Sequence, residues 1–142
     1  MCQLNGHVIK TWCTTQSITA LSSGEAEYYG LVRGAAHGIG IKNLLMDFGV
    51  ERRLKLKTDA TVAKSIASRR GAGKIRHIEV NQLWLQEKVN NGSVQVEKVR
   101  TDENLADLFT KFKAADDIHK HAALTQSEIG GSRNINMPSL AK

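Results

Sequence analysis

Acidic residues occur at three places in the chain where carboxylates could do chemistry. Glu27 lies in the first turns of a predicted long helix, Asp59 directly follows a predicted strand, and Asp107 lies on a predicted late helix. Clustered carboxylates require a cation, and Mg²⁺ prefers carboxylate and phosphate oxygens. Two such ions suit phosphodiester hydrolysis, because one helps generate the attacking hydroxide and the other stabilises the leaving 3′-oxygen. The chain has 14 acidic residues, from which many sets of three can be chosen. Spacing alone is therefore also compatible with each of these three being a solvated surface charge.

The helix that carries Glu27 is predicted over residues 23–48. Ser22 and Glu25, in the sequence SSGE, have the spacing of a capping box, in which the two side chains satisfy backbone N–H groups at the helix start. Apolar residues then recur at helical spacing, and Gly49 supplies a stop. A stripe of glycines four residues apart predicts close packing against a neighbouring element: Gly30, Gly34 and Gly38.

The middle of the chain alternates between strand and helix patterns. Residues 54–58 (LKLKT) have the period of a half-buried strand that runs into Asp59. The remaining predicted elements are a short helix at 60–68, a basic loop at 69–77, a helix at 78–89, a strand at 93–99 and a helix that opens at 104–109. The order of these elements predicts an α/β class with a mixed sheet.

The ends of the chain are less regular. Residues 7–14 (HVIKTWCT) suit a strand that begins so close to residue 1 that its hairpin partner is expected to be lost. We expect one domain over residues 1–112, followed by a short helix and a disordered tail over 113–142.

Charge and composition restrict the partners. The chain has 20 Lys and Arg against 14 Asp and Glu, giving a net charge of +6 that favours polyanions but is also common in other proteins. Cys2 and Cys13 lack the spacing of a zinc site, which favours a reduced intracellular compartment. No apolar run is long enough to span a bilayer and no signal peptide is visible, so we expect no membrane partner.

The densest basic region follows Asp59 and would bind phosphate backbones without reading sequence. The alternative is a solvated basic loop. His77 is interpreted as a structural residue that caps the next helix, with a proton-shuttle role as the alternative. The candidate nucleic-acid-binding residues are Lys64, Arg69, Arg70, Lys74, Arg76 and His77.

Four blocks of the sequence resemble the ribonuclease H domain of copia-type retrotransposon Pol polyproteins. They occur in the same order as in that family, and TWCTTQ at 11–16 resembles the strand before its helix. The resemblance covers about residues 5–112. The four blocks are ALSSGEAEYYGLV at 20–32, TDATVAKSIA at 58–67, KIRHIEVNQLWLQEKV at 74–89 and VRTDENLADLFTK at 99–111.

The resemblance implies a ribonuclease H-like mixed sheet flanked by helices. It implies that Glu27, Asp59 and Asp107 hold two Mg²⁺ ions, or Mn²⁺, and that the chain cleaves the RNA strand of an RNA–DNA hybrid. The reverse transcriptase portion of the same polyprotein would be its partner, in a cytoplasmic particle or the nucleus. Glu25 is the alternative candidate for the metal ligand on this helix, but its position in the capping box explains it better.

One departure from the family bears on activity. The first metal-binding aspartate of the family belongs to an N-terminal strand upstream of these residues, so the sequence is interpreted as N-terminally truncated. The alternative function is therefore a catalytically inactive remnant that at most binds nucleic acid. A small α/β scaffolding protein is the third interpretation.

Overall fold

The computed structural model describes residues 1–71, 73, 78, 82–109 and 114–127, and of residues 108 and 109 the backbone alone. The chain divides into two compact units, a smaller one of Met1–Cys13 with Leu105–Lys142 and a larger one of Thr14–Asn104. The described elements, in chain order, are β1 (Cys2–Leu4), β2 (His7–Lys10), α1 (Ser23–Asp47), β3 (Leu54–Thr58), α2 (Thr61–Ser68), α3 (Trp84–Asn90), β4 (Val94–Lys98) and α4 (Ala115–Leu124), with 3₁₀ turns at Thr101–Glu103 and Leu105–Phe109.

The larger unit is built on a parallel pair of strands, β3 and β4. The register runs without a break from Leu54 opposite Val94 to Thr58 opposite Lys98. Leu56 and Thr58 are buried while Lys55 and Lys57 are exposed, as the alternation LKLKT predicts. The two strands are also joined on the exposed face by an ion pair of 2.8 Å between Lys55 and Glu97.

Helix α1 packs on β3 and on α2 through one close contact each, at two of its glycines. A Cβ added at Gly38 would lie 2.6 Å from Leu54 Cδ1, and one added at Gly24 would lie 2.5 Å from Val62 Cγ1. Gly38 thus approaches the start of β3, and Gly24 approaches the first turn of α2. The N-terminal end of α1 therefore lies beside the C-terminal end of β3. The core of the unit comprises Tyr28, Tyr29, Leu31, Val32, Ala35, Leu56, Ala63, Ile66, Ala67, Ile78, Leu85 and Val94.

The smaller unit begins with an antiparallel hairpin of β1 and β2. Asn5 and Gly6 connect the strands with φ angles of 52° and 90°, the left-handed region that a two-residue hairpin turn requires. The prediction that the partner of β2 is lost is therefore wrong. The predicted strand over 7–14 also ends earlier, at Lys10, because β1 offers three residues for pairing.

The class α/β is confirmed, together with α1, β3, α2 and β4 close to their predicted bounds. The described residues form two separate two-stranded sheets, one antiparallel and one parallel. The single mixed sheet of a ribonuclease H-like fold stays a prediction, as do the domain boundary after residue 112 and the disordered tail. The last part of that tail, residues 128–142, lies outside the described residues.

Two predicted helices differ from the structure. The helix predicted from Ile78 begins at Trp84, and Ile78 lies in a bend. A tertiary hydrogen bond explains the later start, because Tyr28 Oη donates to the carbonyl of Gln82 at 2.7 Å and holds the chain just before the helix. The helix predicted to open at 104–109 is instead a 3₁₀ turn over Leu105–Phe109.

The glycine contacts generate a stability prediction. We expect Gly24→Ala to lower the free energy of unfolding by about 1–3 kcal/mol, because the branched side chain of Val62 cannot move its Cβ, 2.8 Å from the new methyl, by changing rotamer. Gly30→Ala is the matched control in the same helix. Its Cβ would meet nothing within 4 Å, and the substitution should stabilise by up to about 1 kcal/mol. Urea unfolding of both variants measures this, and equal effects would contradict the packing described.

Candidate functional site

Asp59 lies where the two parallel strands end together. Because Thr58 is opposite Lys98, the segments that leave β3 and β4 remain neighbours, and Val99 N donates to the Thr58 carbonyl at 2.9 Å. Asp59 is half-buried. It borders an open cavity of about 630 Å³ whose other lining residues all come from the end of β4 and the turn after it: Lys98, Val99, Arg100, Thr101 and Asp102.

Hydrogen bonds fix the backbone and the side chains around this cavity. Thr58 Oγ1 accepts from Ala60 N at 3.1 Å, which closes the turn that contains Asp59. Lys98 Nζ donates to Thr61 Oγ1 at 2.6 Å, so its ammonium lies over the start of α2. Arg100 donates through Nε and Nη2 to the two carboxylate oxygens of Asp102, each at 3.0 Å. The cavity therefore joins two carboxylates and two cations at one end of the larger unit.

Glu25 and Glu27, two residues apart on α1, have different environments. Ser22 Oγ accepts from Glu25 N at 3.2 Å, and Glu25 Oε2 accepts from Leu21 N at 2.9 Å. Glu25 is 1% exposed, and its Oε1 also accepts from Tyr29 Oη at 2.5 Å. The predicted cap is confirmed, except that the carboxylate bonds Leu21 N rather than the N–H of Ser22 itself. Glu27 is exposed.

The structure brings Glu27 and Asp59 to the same end of the larger unit. Glu27 is in the N-terminal part of α1, and the contact between Gly24 and Val62 places that part beside the first turn after Asp59. Mg²⁺ is often held by one or two carboxylates together with substrate phosphate oxygens, and a shared ligand role of Glu27 and Asp59 stays a prediction.

Asp107 belongs to the smaller unit, where it is buried in the 3₁₀ turn Leu105–Phe109. Its place in a common ligand set with Glu27 and Asp59 stays a prediction. Within the part of the chain that the structure describes, no group of three or more His, Cys, Asp or Glu side chains is arranged to hold a metal ion.

The basic loop after α2 is described in part. Lys64 and Arg69 are half-buried and Arg70 is exposed. The other three predicted nucleic-acid contacts, Lys74, Arg76 and His77, lie outside the described residues. Gly73, with φ of 60°, allows the chain to approach the Arg69 guanidinium, because a Cβ there would lie 2.8 Å from Nη1.

The side chain of Gln86, on α3, holds this loop against the helices. Its Oε1 accepts from Gly71 N at 2.8 Å, and its Nε2 donates to Gly71 O at 3.1 Å and to Ile66 O at 2.9 Å. Gln86 is 4% exposed. Sequence reasoning missed it, although an amide on the apolar face of a helix is a signal for a buried polar contact.

Tyr28 supports the same region from α1. Burial raises the pKa of its hydroxyl to about 12, while the neighbouring positive charge of Arg69 acts in the opposite direction. The hydroxyl therefore stays protonated at neutral pH and donates to the Gln82 carbonyl. The chain is thus held at Gly71 by Gln86 of α3, and the segment just before α3 is held at Gln82 by Tyr28 of α1.

Comparison with known proteins finds that most of this chain is similar to part of a retrotransposon polyprotein. The chain is 30% identical over 110 residues to the retrovirus-related Pol polyprotein from transposon TNT 1-94 of Nicotiana tabacum. The aligned region is 75% of this chain and 8% of that polyprotein, so the chain spans a small part of the length of this curated relative. No family model matches the chain. No solved structure matches it either.

The comparison bears out similarity to a retrotransposon Pol polyprotein, and the ribonuclease H assignment within it stays a prediction. Among the described residues, no helix has the length and hydropathy needed to cross a membrane.

The contrast between the two glutamates generates a second prediction. Glu25→Ala should lower the free energy of unfolding by about 1–3 kcal/mol, because it leaves the Leu21 N–H and the Tyr29 hydroxyl without this acceptor. Glu27→Ala, an equal change of charge one half-turn away, should change it by less than about 0.5 kcal/mol. Thermal and urea unfolding measure both. A loss of stability in Glu27→Ala as large as in Glu25→Ala would show that Glu27 is structural too.

Proposed function

We propose that this chain carries out endonucleolytic hydrolysis of the RNA strand of RNA–DNA hybrids, as a magnesium-dependent part of a retrotransposon reverse transcriptase polyprotein. The observation that carries the proposal is the position of Asp59, directly after β3, where it lines a cavity together with the cationic side chains of Lys98 and Arg100. The similarity to a Pol polyprotein supports the biological setting, and the resemblance of the sequence blocks to ribonuclease H domains supports the reaction.

The residues that would hold Mg²⁺, or Mn²⁺ in its place, are Glu27, Asp59 and Asp107. When bound, Mg²⁺ would lower the pKa of a water molecule and stabilise the negative charge that develops on the leaving 3′-oxygen. The reaction breaks the bond between phosphorus and the 3′-oxygen, with water supplying the new oxygen on the 5′-phosphate. Asp59 is suited to a ligand role because the hydrogen bond from Ala60 N to Thr58 Oγ1 fixes the turn on which it lies.

The basic residues would bind and orient the hybrid. Lys64, Arg69 and Arg70 follow the same strand as Asp59, and with Lys74, Arg76 and His77 they would contact phosphates along the duplex. Such contacts carry no sequence information, which suits an enzyme that recognises the shape of a hybrid and its 2′-hydroxyls. The hydrogen bonds of Gln86 to Gly71 would hold the chain in place just after Arg70 and so reduce the entropy lost when Arg69 and Arg70 bind phosphate.

A second candidate is a catalytically inactive remnant that at most binds nucleic acid. It is favoured by the absence, among the residues that the structure describes, of a three-member group of metal-ligating side chains. The two candidates share the basic surface and differ in whether the carboxylates support turnover.

Cleavage of a labelled RNA–DNA hybrid by the purified chain, in Mg²⁺ and in Mn²⁺, tests the proposal. We expect RNA fragments with 5′-phosphate ends, and we expect Asp59→Asn to lower the rate by at least about 100-fold, because a metal ligand is lost. Asp47→Asn is the matched control, since this exposed aspartate lies at the opposite end of α1.

The outcomes separate the two candidates. Cleavage that Asp59→Asn leaves unchanged would contradict the assigned site. A folded chain that binds the hybrid but cleaves it in neither metal would favour the inactive remnant. In that case the chain would be extended by an upstream strand that bears an aspartate. Cleavage by the extended chain would show that a fourth carboxylate is needed for the activity.

A further inference from the structure

The cavity beside Asp59 contains a cation, Lys98, for which the sequence blocks assign no role. Lys98 is the last residue of β4 and is opposite Thr58, so it is beside Asp59 across the two strands. On β4 it continues the face of Val94, which is buried, and Val96, which is half-buried. Its side chain nevertheless is exposed and ends in a charge, which makes it the exception on that face.

The ammonium of Lys98 is positioned by a neutral acceptor. Lys98 Nζ donates to Thr61 Oγ1 at 2.6 Å, and Thr61 is two residues after Asp59. The side chain therefore extends across the end of β3 rather than along the strand. Among the described residues Lys98 forms no ion pair, so its charge is not neutralised by a neighbouring carboxylate.

Arg100, the second cationic side chain that lines the cavity, does form an ion pair. Its Nε and Nη2 donate to Asp102, which makes a locally neutral pair. A guanidinium has five N–H donors in a planar fork, of which Asp102 accepts two. The pair thus holds the plane of Arg100 in place while further donors remain for an acceptor in the cavity.

We propose that this cavity is a phosphate subsite, in which Lys98, with Arg100 as a second donor, binds a backbone phosphate of the nucleic acid next to Asp59. The inference rests on the proposed function and adds a specific contact to it. An ammonium and a guanidinium on one wall of an open cavity of about 630 Å³ form charge-assisted hydrogen bonds to phosphate oxygens. The occupant is a backbone phosphate within a strand, which a cavity open to solvent can admit without enclosing a strand end.

The carboxylate of Asp59 lies beside the proposed subsite, so its negative charge should affect phosphate binding there. Without a divalent cation, the negative charge of Asp59 repels the phosphate that Lys98 attracts. Removal of either charge should therefore change affinity for the hybrid, and in opposite directions. Any lysine and any aspartate near a polyanion would have such opposite effects, so the distinguishing result is coupling: the gain from removing the Asp59 charge should depend on whether Lys98 is present.

The test is equilibrium binding of a fluorescent RNA–DNA hybrid to the full chain in EDTA, over a series of KCl concentrations. We expect Lys98→Met to weaken binding by about tenfold at low salt. The slope of log affinity against log salt should become shallower by about 0.9, which corresponds to one lost phosphate contact. Lys98→Arg should retain the slope. Lys42→Met is the control for charge alone, because Lys42 borders a different cavity, near the C-terminal end of α1.

Asp59→Asn is the second arm of the same experiment. In EDTA it should bind the hybrid several-fold more tightly than the wild type, and this gain should be smaller in the variant that also carries Lys98→Met. Equal affinity and equal slope in Lys98→Met and Lys42→Met would overturn the subsite. Absence of binding by the folded wild-type chain would overturn it as well. Wild-type binding that depends on Lys98 in a chain that never cleaves would support the subsite and count against the proposed hydrolysis.

Discussion

The register between β3 and β4 is the constraint on which the candidate site depends. Five residue pairs align the strands so that both end at the same level, and the hydrogen bond from Val99 N to the Thr58 carbonyl extends the pairing beyond the last pair. Parallel strands require a long crossover, which here contains α2 and α3. A shift of the register by one residue would turn Lys98 to the other face and separate it from Asp59.

Helix α1 adds a second constraint at the same end. Its start is fixed by Ser22 and Glu25, and its distance from the neighbouring elements is set by Gly24 and Gly38. These contacts determine which carboxylate is available for chemistry. Glu25 is enclosed and satisfied by hydrogen bonds, whereas Glu27 is exposed at the end of the unit where Asp59 lies. Of these two acidic residues, which are two positions apart, Glu25 thus has a structural role and Glu27 a candidate ligand role.

The features that sequence predicts well here are local ones. The alternation LKLKT and the SSGE cap depend on residues within one element, and both are found as predicted. The Asn5-Gly6 turn was also a local signal, but the expectation of a lost strand overlooked it. The hydrogen bonds of Gln86 to Gly71, and of Tyr28 to Gln82, join residues 15 and 54 positions apart. No periodicity within one element specifies such contacts.

The same distinction applies to the site. The context of Asp59 at the end of a strand is visible in the sequence, because the strand pattern runs directly into it. Its neighbours Lys98 and Arg100 are about 40 positions away, and the pairing of two strands brings them to it. In the segment after β4, the resemblance to a known family pointed to Asp107. Such a resemblance identifies acidic metal ligands more clearly than the cationic side chains around them.

Paramagnetic broadening by Mn²⁺ in an amide NMR spectrum of the full chain tests the central claim most directly. The account predicts that substoichiometric Mn²⁺ selectively broadens the amides around Asp59, Glu27 and Lys98, and that Asp59→Asn abolishes this effect. Broadening that is absent from this end of the larger unit, or that persists unchanged in Asp59→Asn, would contradict a metal site at the end of the parallel strands.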